Sequence, residues 1–587
     1  MASSVWRDAE FDRLFQRLAE DFNRTRPIVA LPPEILVLIF TSLQLSAPSY
    51  RKKSRTVLGW VRITHVCRRW REVAISSAIL WTHISDLGDN WTRVFVERAR
   101  NALLCISQHK ASSEAILAPE NIANNLYRIR VLDISGAHSS MLSLVDRLHN
   151  AAPRLEDLAV DISTDDYDSL INRIPKVSGY LLNGSNDSLR SLHLKNIFVQ
   201  WDALSFPNLV FLHLENMQPR YLFTNGEERC LPSLSNLFLA LARMVRLQEL
   251  RLYGAVHVLP GEEQLLEPVS LPQLRSLRLN QSMAECISIL RGISLQPGTN
   301  LNINCNDETA PAWETDKAVY TLLDITRNHC IATDVLNPTP HLRCALIQSS
   351  PTTAHLPLII HDRARPHRDP KDLVDLLLPR EYPDDFVGIL KAMLRMLPHA
   401  RLRELEVGNR LGLTAGQWAE IFAFADVRWP HLDALLVESD PACAFLDALL
   451  KANVGAVPGL QTLVIDAEPE GLDATALDMV ARNVLLARNR GVPLRRIVLR
   501  MAECRPDVGV WKETLAAVVP EFEYQSRAGR RMGIDGRDSP YFSEDEDEGD
   551  EGEDDGEDED EDMDEDGDEE DGDTDDLEDN ERAFYAL

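Results

Sequence analysis

The chain has 587 residues, 44% of them hydrophobic, enough for about two to four domains with sizeable cores. Its net charge of −31 sits in one segment: residues 544–579 hold 28 acids and no Lys or Arg, so the remainder nets −31 + 28 = −3. A nearly neutral body excludes a strongly basic nucleic-acid binder. Nine scattered cysteines with no close CxxC pair exclude a zinc finger and a disulfide framework. No apolar stretch reaches the roughly eighteen residues of a membrane span, and the charged N-terminus lacks the apolar core of a signal peptide. A soluble protein of the cytoplasm or nucleus, making no membrane contact, is expected.

The first predicted element is a helix over residues 5–22, with Phe11, Leu14, Phe15, Leu18 and Phe22 on one face. Such a face docks on its own domain or on a partner, and docking within the chain is the expectation here. Next comes LPPEILVLIF, residues 31–40. Pro32 and Pro33 suit a first helical turn, and Glu34 complements the helix dipole. From Ile35 onward the helix is apolar on nearly every side, whereas a surface helix needs only one apolar stripe. A basic loop, SYRKKSR, follows. The segment WVRITHVCRRWREVAI then reads as a helix with Ile63, Val66, Cys67, Trp70 and Val73 on one face, and SSAILWTHI closes the unit with Leu80, Trp81 and Ile84. Three short helices carry more apolar surface than sixty residues can hide. Either a partner covers the surplus or the downstream repeats do.

Leu31-Pro32-x-Glu34-Ile35-x-x-x-Ile39-Phe40, then Val66-Cys67-Arg68-x-Trp70-Arg71, then Leu80-Trp81, resembles the F-box, in the form common in mushroom-type fungal proteins. The resemblance covers residues 28–86, and the stretch 44–59 is longer than in the compact F-box. It implies docking on a Skp-type adaptor, and through it a cullin-RING ubiquitin ligase. Carried over by position, the adaptor-binding residues are Leu31, Pro32, Ile35, Ile39, Val66, Cys67 and Trp70. Leu80 and Trp81 would hold the helices together.

Residues 87–525 carry L-x-x-L-x-L windows preceded by proline: PRLEDLAV (Pro153), PNLVFLHL (Pro207), PSLSNLFL (Pro232), PQLRSLRL (Pro272), PHLDALLV (Pro430) and PGLQTLVI (Pro458). Unmarked copies start at Leu189, Leu247, Leu402 and Leu494. Each predicts a short strand with alternate residues pointing inward and a helix or coil returning outside. This resembles an irregular leucine-rich repeat. Few clean copies fall within 300–400, which predicts an interrupted horseshoe. The expected fold class is therefore α/β: a three-helix F-box bundle, a solenoid of parallel strands with helical returns, and a disordered acidic tail.

The N-terminal helix is assigned to 1–27, the linker to 526–542 and the acidic tail to 543–587, where composition predicts disorder. The tail serves solubility or attracts basic partners, and Ser543 before Glu-Asp-Glu resembles an acidophilic kinase site. No phosphate loop, nucleophile elbow or H-E-x-x-H helix is present, so no catalytic residue, cofactor or metal is expected. His355, His361 and His367, with Asp362 and Asp369 nearby, read as exposed loop residues rather than ligands. The sequence favours a substrate-receptor subunit of an SCF-type ligase, its repeat surface binding a protein of unknown identity, basic ones included. The alternative is a non-catalytic scaffold or acidic chaperone in which the helices only cap the repeats. No direct nucleic-acid binding is expected.

Overall fold

The computed structural model describes Leu14, Arg17, Leu18 and Phe22 and most of residues 25–526. The larger gaps fall at 112–118, 164–176, 217–232, 257–267, 347–354, 363–371, most of 380–401, and 502–512. The chain divides into two units, Met1–Arg530 and Arg531–Leu587. The second, with the predicted acidic tail and most of the linker, lies outside the described residues.

In the N-terminal unit, helix α1 (Pro33–Ser46) begins as the prolines dictate, with Pro32 as its extended N-cap and Glu34 in the first turn. The basic segment expected to be a loop is instead a two-stranded antiparallel hairpin, Tyr50–Lys52 with Arg55–Val57. The single helix expected over WVRITHVCRRWREVAI is two. A 3-10 helix spans Gly59–His65, and helix α2 runs from Arg68 to Ser76. Cys67 between them is fully extended (φ −159°, ψ 164°), so it ends one helix and caps the next. The predicted shared face is thereby split: Ile63 and Val73 are buried, while Val66 is exposed. The predicted docking of the N-terminal helix on its own domain does not hold at the described positions, where Leu14, Leu18 and Phe22 are all exposed.

From His83 onward the chain builds one long sheet. Neighbouring strands pair in parallel from His83–Ile84 to Asn300–Cys305, with register shifts only between Leu104–Ala111 and Ile129–Ala137. The alternation of the motif places its leucines on one face. Leu158, Leu192, Leu212, Leu250, Leu277 and Leu301 form one buried column, and Val160, Leu194, Leu214, Leu252, Leu279 and Ile303 the next. The column continues in the C-terminal half as Leu405, Leu435, Leu463 and Ile497. Leu250 is fully buried among such neighbours, so Leu250→Ala should cost about 2–5 kcal/mol, read as a lower urea midpoint. A loss under about 1 kcal/mol would mean the column is not close-packed.

Two strand ends show how the turn is made. Asn196, at φ +56°, donates its side-chain amide 2.8 Å to the Ile162 carbonyl, tying one repeat to the previous one. Gly254, at φ +58°, lies so near the Asn216 carbonyl that a Cβ would come within 2.3 Å of its oxygen. Only glycine fits there.

One predicted strand is a helix. PSLSNLFL forms Leu234–Leu241, capped by Ser233, whose hydroxyl accepts from the Asn236 amide. Leu234, Leu237, Phe238 and Leu241 recur at helical spacing and are buried, so the segment packs as the return element of its repeat. The strand of that repeat is Glu249–Tyr253, from the copy starting at Leu247. A second return helix, Met283–Gly292, opens with a reciprocal capping box between Ser282 and Glu285.

The interruption expected between 300 and 400 takes a definite form. Asn300–Cys305 pairs in parallel with Asp372–Pro379, which pairs antiparallel with His355–Asp362. That strand pairs antiparallel with Leu342–Leu346, which returns to parallel pairing with Leu402–Val407. His355 and His361 thus lie on a strand rather than in a loop, while His367 and Asp369 fall outside the described residues. Parallel strands then continue to Glu521–Ser526.

Beside this seam, His329 on the helix Ala312–Leu336 is buried, and its Nε2–H donates 2.8 Å to the Thr299 carbonyl. Burial pushes its pKa below the ordinary histidine value, and the hydrogen bond only partly opposes this. Below about pH 6.5 the unfolded chain therefore takes up a proton that the native state refuses, so stability falls on acidification. The melting temperature should drop between about pH 7 and pH 5, and His329→Gln should flatten that slope. An unchanged slope in the variant would remove His329 from the account.

Candidate protein-interaction site

Helix α1 has two apolar stripes. Leu36 and Phe40, one turn apart, are fully buried, and Phe40 packs against Trp70 of α2 with ring centroids 5.2 Å apart. The other stripe faces solvent: Ile35 is 41% exposed, Leu38 64% and Ile39 39%. Val66, in the turn before α2, is 58% exposed. Pro32 is exposed, and Leu31, Cys67 and Trp70 are half-buried. The Arg69 guanidinium bonds the Leu31 carbonyl, and Arg71 Nε donates 2.8 Å to the Thr64 carbonyl. Those bonds hold the segment entering α1 and the 3-10 helix to α2.

Leu80 and Trp81 are wholly buried. The Trp81 indole N–H donates 2.8 Å to the Ala74 carbonyl at the end of α2. Its ring meets Trp60 at 5.0 Å and Phe95 at 4.9 Å, both edge-on, with the Arg98 guanidinium 4.5 Å from its centroid. Phe95 and Arg98 belong to the first helix of the repeat region, Asp89–Arg98. One tryptophan therefore joins the N-terminal helices to the solenoid. Gln44 Nε2, bonding the Leu80 carbonyl at 3.1 Å, ties α1 to the same point.

At this junction a cavity of about 320 Å³ is lined by Thr41, Gln44, Pro48, His83, Cys105 and Val131 among others. Burial pushes the Cys105 thiol up, but hydrogen bonding to His83 and to Arg130, 3.3 Å away, outweighs it. The net shift is downward.

Leu38, Leu45 and Ile79 are exposed apolar residues that the family pattern did not mark. The signal for Leu38 was present in the all-round apolar run, because it lies three residues from Ile35 and beside Ile39. Sequence reasoning also missed the polar face of the sheet, the side opposite the leucines. There one register row runs from Asp133 through Ala159, His193, His213, Arg251 and Arg278 to Asn302. Charges on this face interlock across rows: Lys195 reaches Glu215 at 3.3 Å and Asp161 at 3.7 Å, and Glu249 lies 2.7 Å from Arg251.

The F-box-like family model matches residues 28–86. Among solved structures, the leucine-rich repeat-containing protein LegL7 from Legionella pneumophila is similar over 67% of this chain and 94% of its own, at 10% identity and a TM-score of 0.21. No curated protein matches the chain. The chain thus carries an F-box-like domain, followed by a leucine-rich-repeat-like parallel sheet whose assignment rests on the strand registers above. Among the described residues no helix is long and apolar enough to cross a membrane.

Proposed function

We propose that this chain is a substrate-receptor subunit of an SCF-type cullin-RING ubiquitin ligase. In this reading the 28–86 domain docks on a Skp-type adaptor and the sheet's polar face binds the protein to be modified. The chain performs no bond chemistry itself and acts by holding substrate near the transfer machinery, which is catalysis by proximity. The observation that carries the reading is the division of α1. Leu36 and Phe40 anchor it within the 28–86 domain, while Ile35, Leu38 and Ile39 are exposed, as is Val66. A helix that served only to cap the repeats would bury both stripes. A compact cluster of exposed aliphatic residues on a rigid helix is what a helix-in-groove interface requires.

The test is co-elution of the purified full chain with a Skp-type adaptor on gel filtration. A stoichiometric complex is the expected result. Separate elution at tens of micromolar would end the receptor reading and leave a ligase-independent scaffold.

A further inference from the structure

His193 and His213 lie opposite each other on adjacent parallel strands, Ser191–Lys195 and Phe211–Glu215, and Glu215 follows two residues on, on the same face. The imidazoles stack with centroids 4.2 Å apart and planes within 14°. His213 is buried on the side of the sheet that otherwise carries charge, with only 8% of its surface exposed. Tyr253 closes its other flank, edge-on at 5.0 Å.

Both Nε2 atoms are buried, and neither has a hydrogen-bond partner. Buried polar atoms are nearly always paired, so two orphans side by side call for a partner, a water or an ion. A candidate acceptor, Glu215 Oε2, stands 3.5 Å from His213 Nε2, too far for a good hydrogen bond. That separation instead suits two donors on a tetrahedral zinc. With metal–ligand bonds of about 2.0–2.1 Å, such donors lie roughly 3.4 Å apart. One donor atom from each of the three side chains falls within 4.8 Å of the others. Glu215 keeps its two oxygens in separate service, with Oε1 facing Lys195 at 3.3 Å and Oε2 facing His213 at 3.5 Å.

We infer that His193, His213 and Glu215 form a binding site for a divalent transition-metal cation of the zinc class, with a coordination position left open on the polar face of the sheet. Two imidazoles and one carboxylate are the donor set such cations prefer over calcium or magnesium. Three protein ligands leave the fourth position to water or to a side chain of a bound protein. Spacing in the sequence could not reveal the site, because its members come from two strands that only the repeat register aligns.

The test titrates Co²⁺ into the full chain, purified without a polyhistidine tag and stripped by chelator. Expected are one equivalent bound with the intense visible bands of four-coordinate, mixed nitrogen and oxygen ligation, displacement by Zn²⁺, and a raised melting temperature. His193→Gln and Glu215→Gln should each weaken binding roughly tenfold or more, whereas His109→Gln, elsewhere on the same face, should not. His213→Gln is avoided because that residue is packed on both flanks. Carboxylates of residues 544–579 also take up cations, but oxygen-only ligation gives weak bands, so the spectrum separates the two. Absence of the intense bands in the wild-type chain would overturn the inference. So would bands unchanged in both His193→Gln and Glu215→Gln.

Discussion

Replacing Ile35 and Ile39 together by aspartate is expected to weaken binding to a Skp-type adaptor by roughly a hundredfold or more while leaving the melting temperature nearly unchanged. Both side chains are about two-fifths exposed, so charge at these positions costs little in the free chain. In a complex each would be desolvated, and central aliphatic contacts of an interface carry about 2 kcal/mol each when lost. Leu142→Asp on the Helix His138–Arg147, equally exposed, is the matched control and should bind as wild type. Isothermal titration with each variant reads the difference. Equal affinity for the double variant and wild type would place the interface elsewhere. Trp70 is a poorer probe: it is half-buried against Phe40, so truncating it disturbs the packing of α1 on α2 as well as any contact.

Trp81→Ala should have the largest effect on stability of any single change considered, about 3–5 kcal/mol. The residue is fully buried, hydrogen-bonded at 2.8 Å, flanked edge-on by two aromatic rings and covered by a guanidinium. Because those partners come from both sides of the junction, the loss should also separate the melting of the N-terminal helices from that of the repeats. Urea denaturation followed by far-ultraviolet circular dichroism should change from one transition to two. A single transition shifted by less than about 1 kcal/mol would mean that the two regions are not coupled through this ring.

Much of this arrangement was legible in the residues. The proline-led leucine windows gave strands wherever alternate positions were aliphatic and a turn preceded them, as at Asp157–Ser163 and Thr462–Ala467. PSLSNLFL deceived because L-x-x-L fits both periods, and what decided it was the cap at Ser233 together with the burial of Phe238. The break at Cys67 could not be read because it depends on one residue's backbone angles and not on hydropathy. In α1 the excess of apolar residues was visible, but which stripe turned inward was set by Trp70, thirty residues away. The histidine pair was hidden for a similar reason, since cross-strand neighbours carry no local signature.

The antiparallel excursion between Leu342 and Pro379 also bears on how the chain assembles. A parallel array grows by adding strands already close in sequence, each closing a short loop, so ordering can spread along it like a zipper. At the seam that progression fails, because Asn300–Cys305 must find Asp372–Pro379 and Leu342–Leu346 must find Leu402–Val407. The seam therefore behaves like a grain boundary between two crystallites. Order can start in either half and run to the boundary, but joining the halves takes long-range closures that neither half can template.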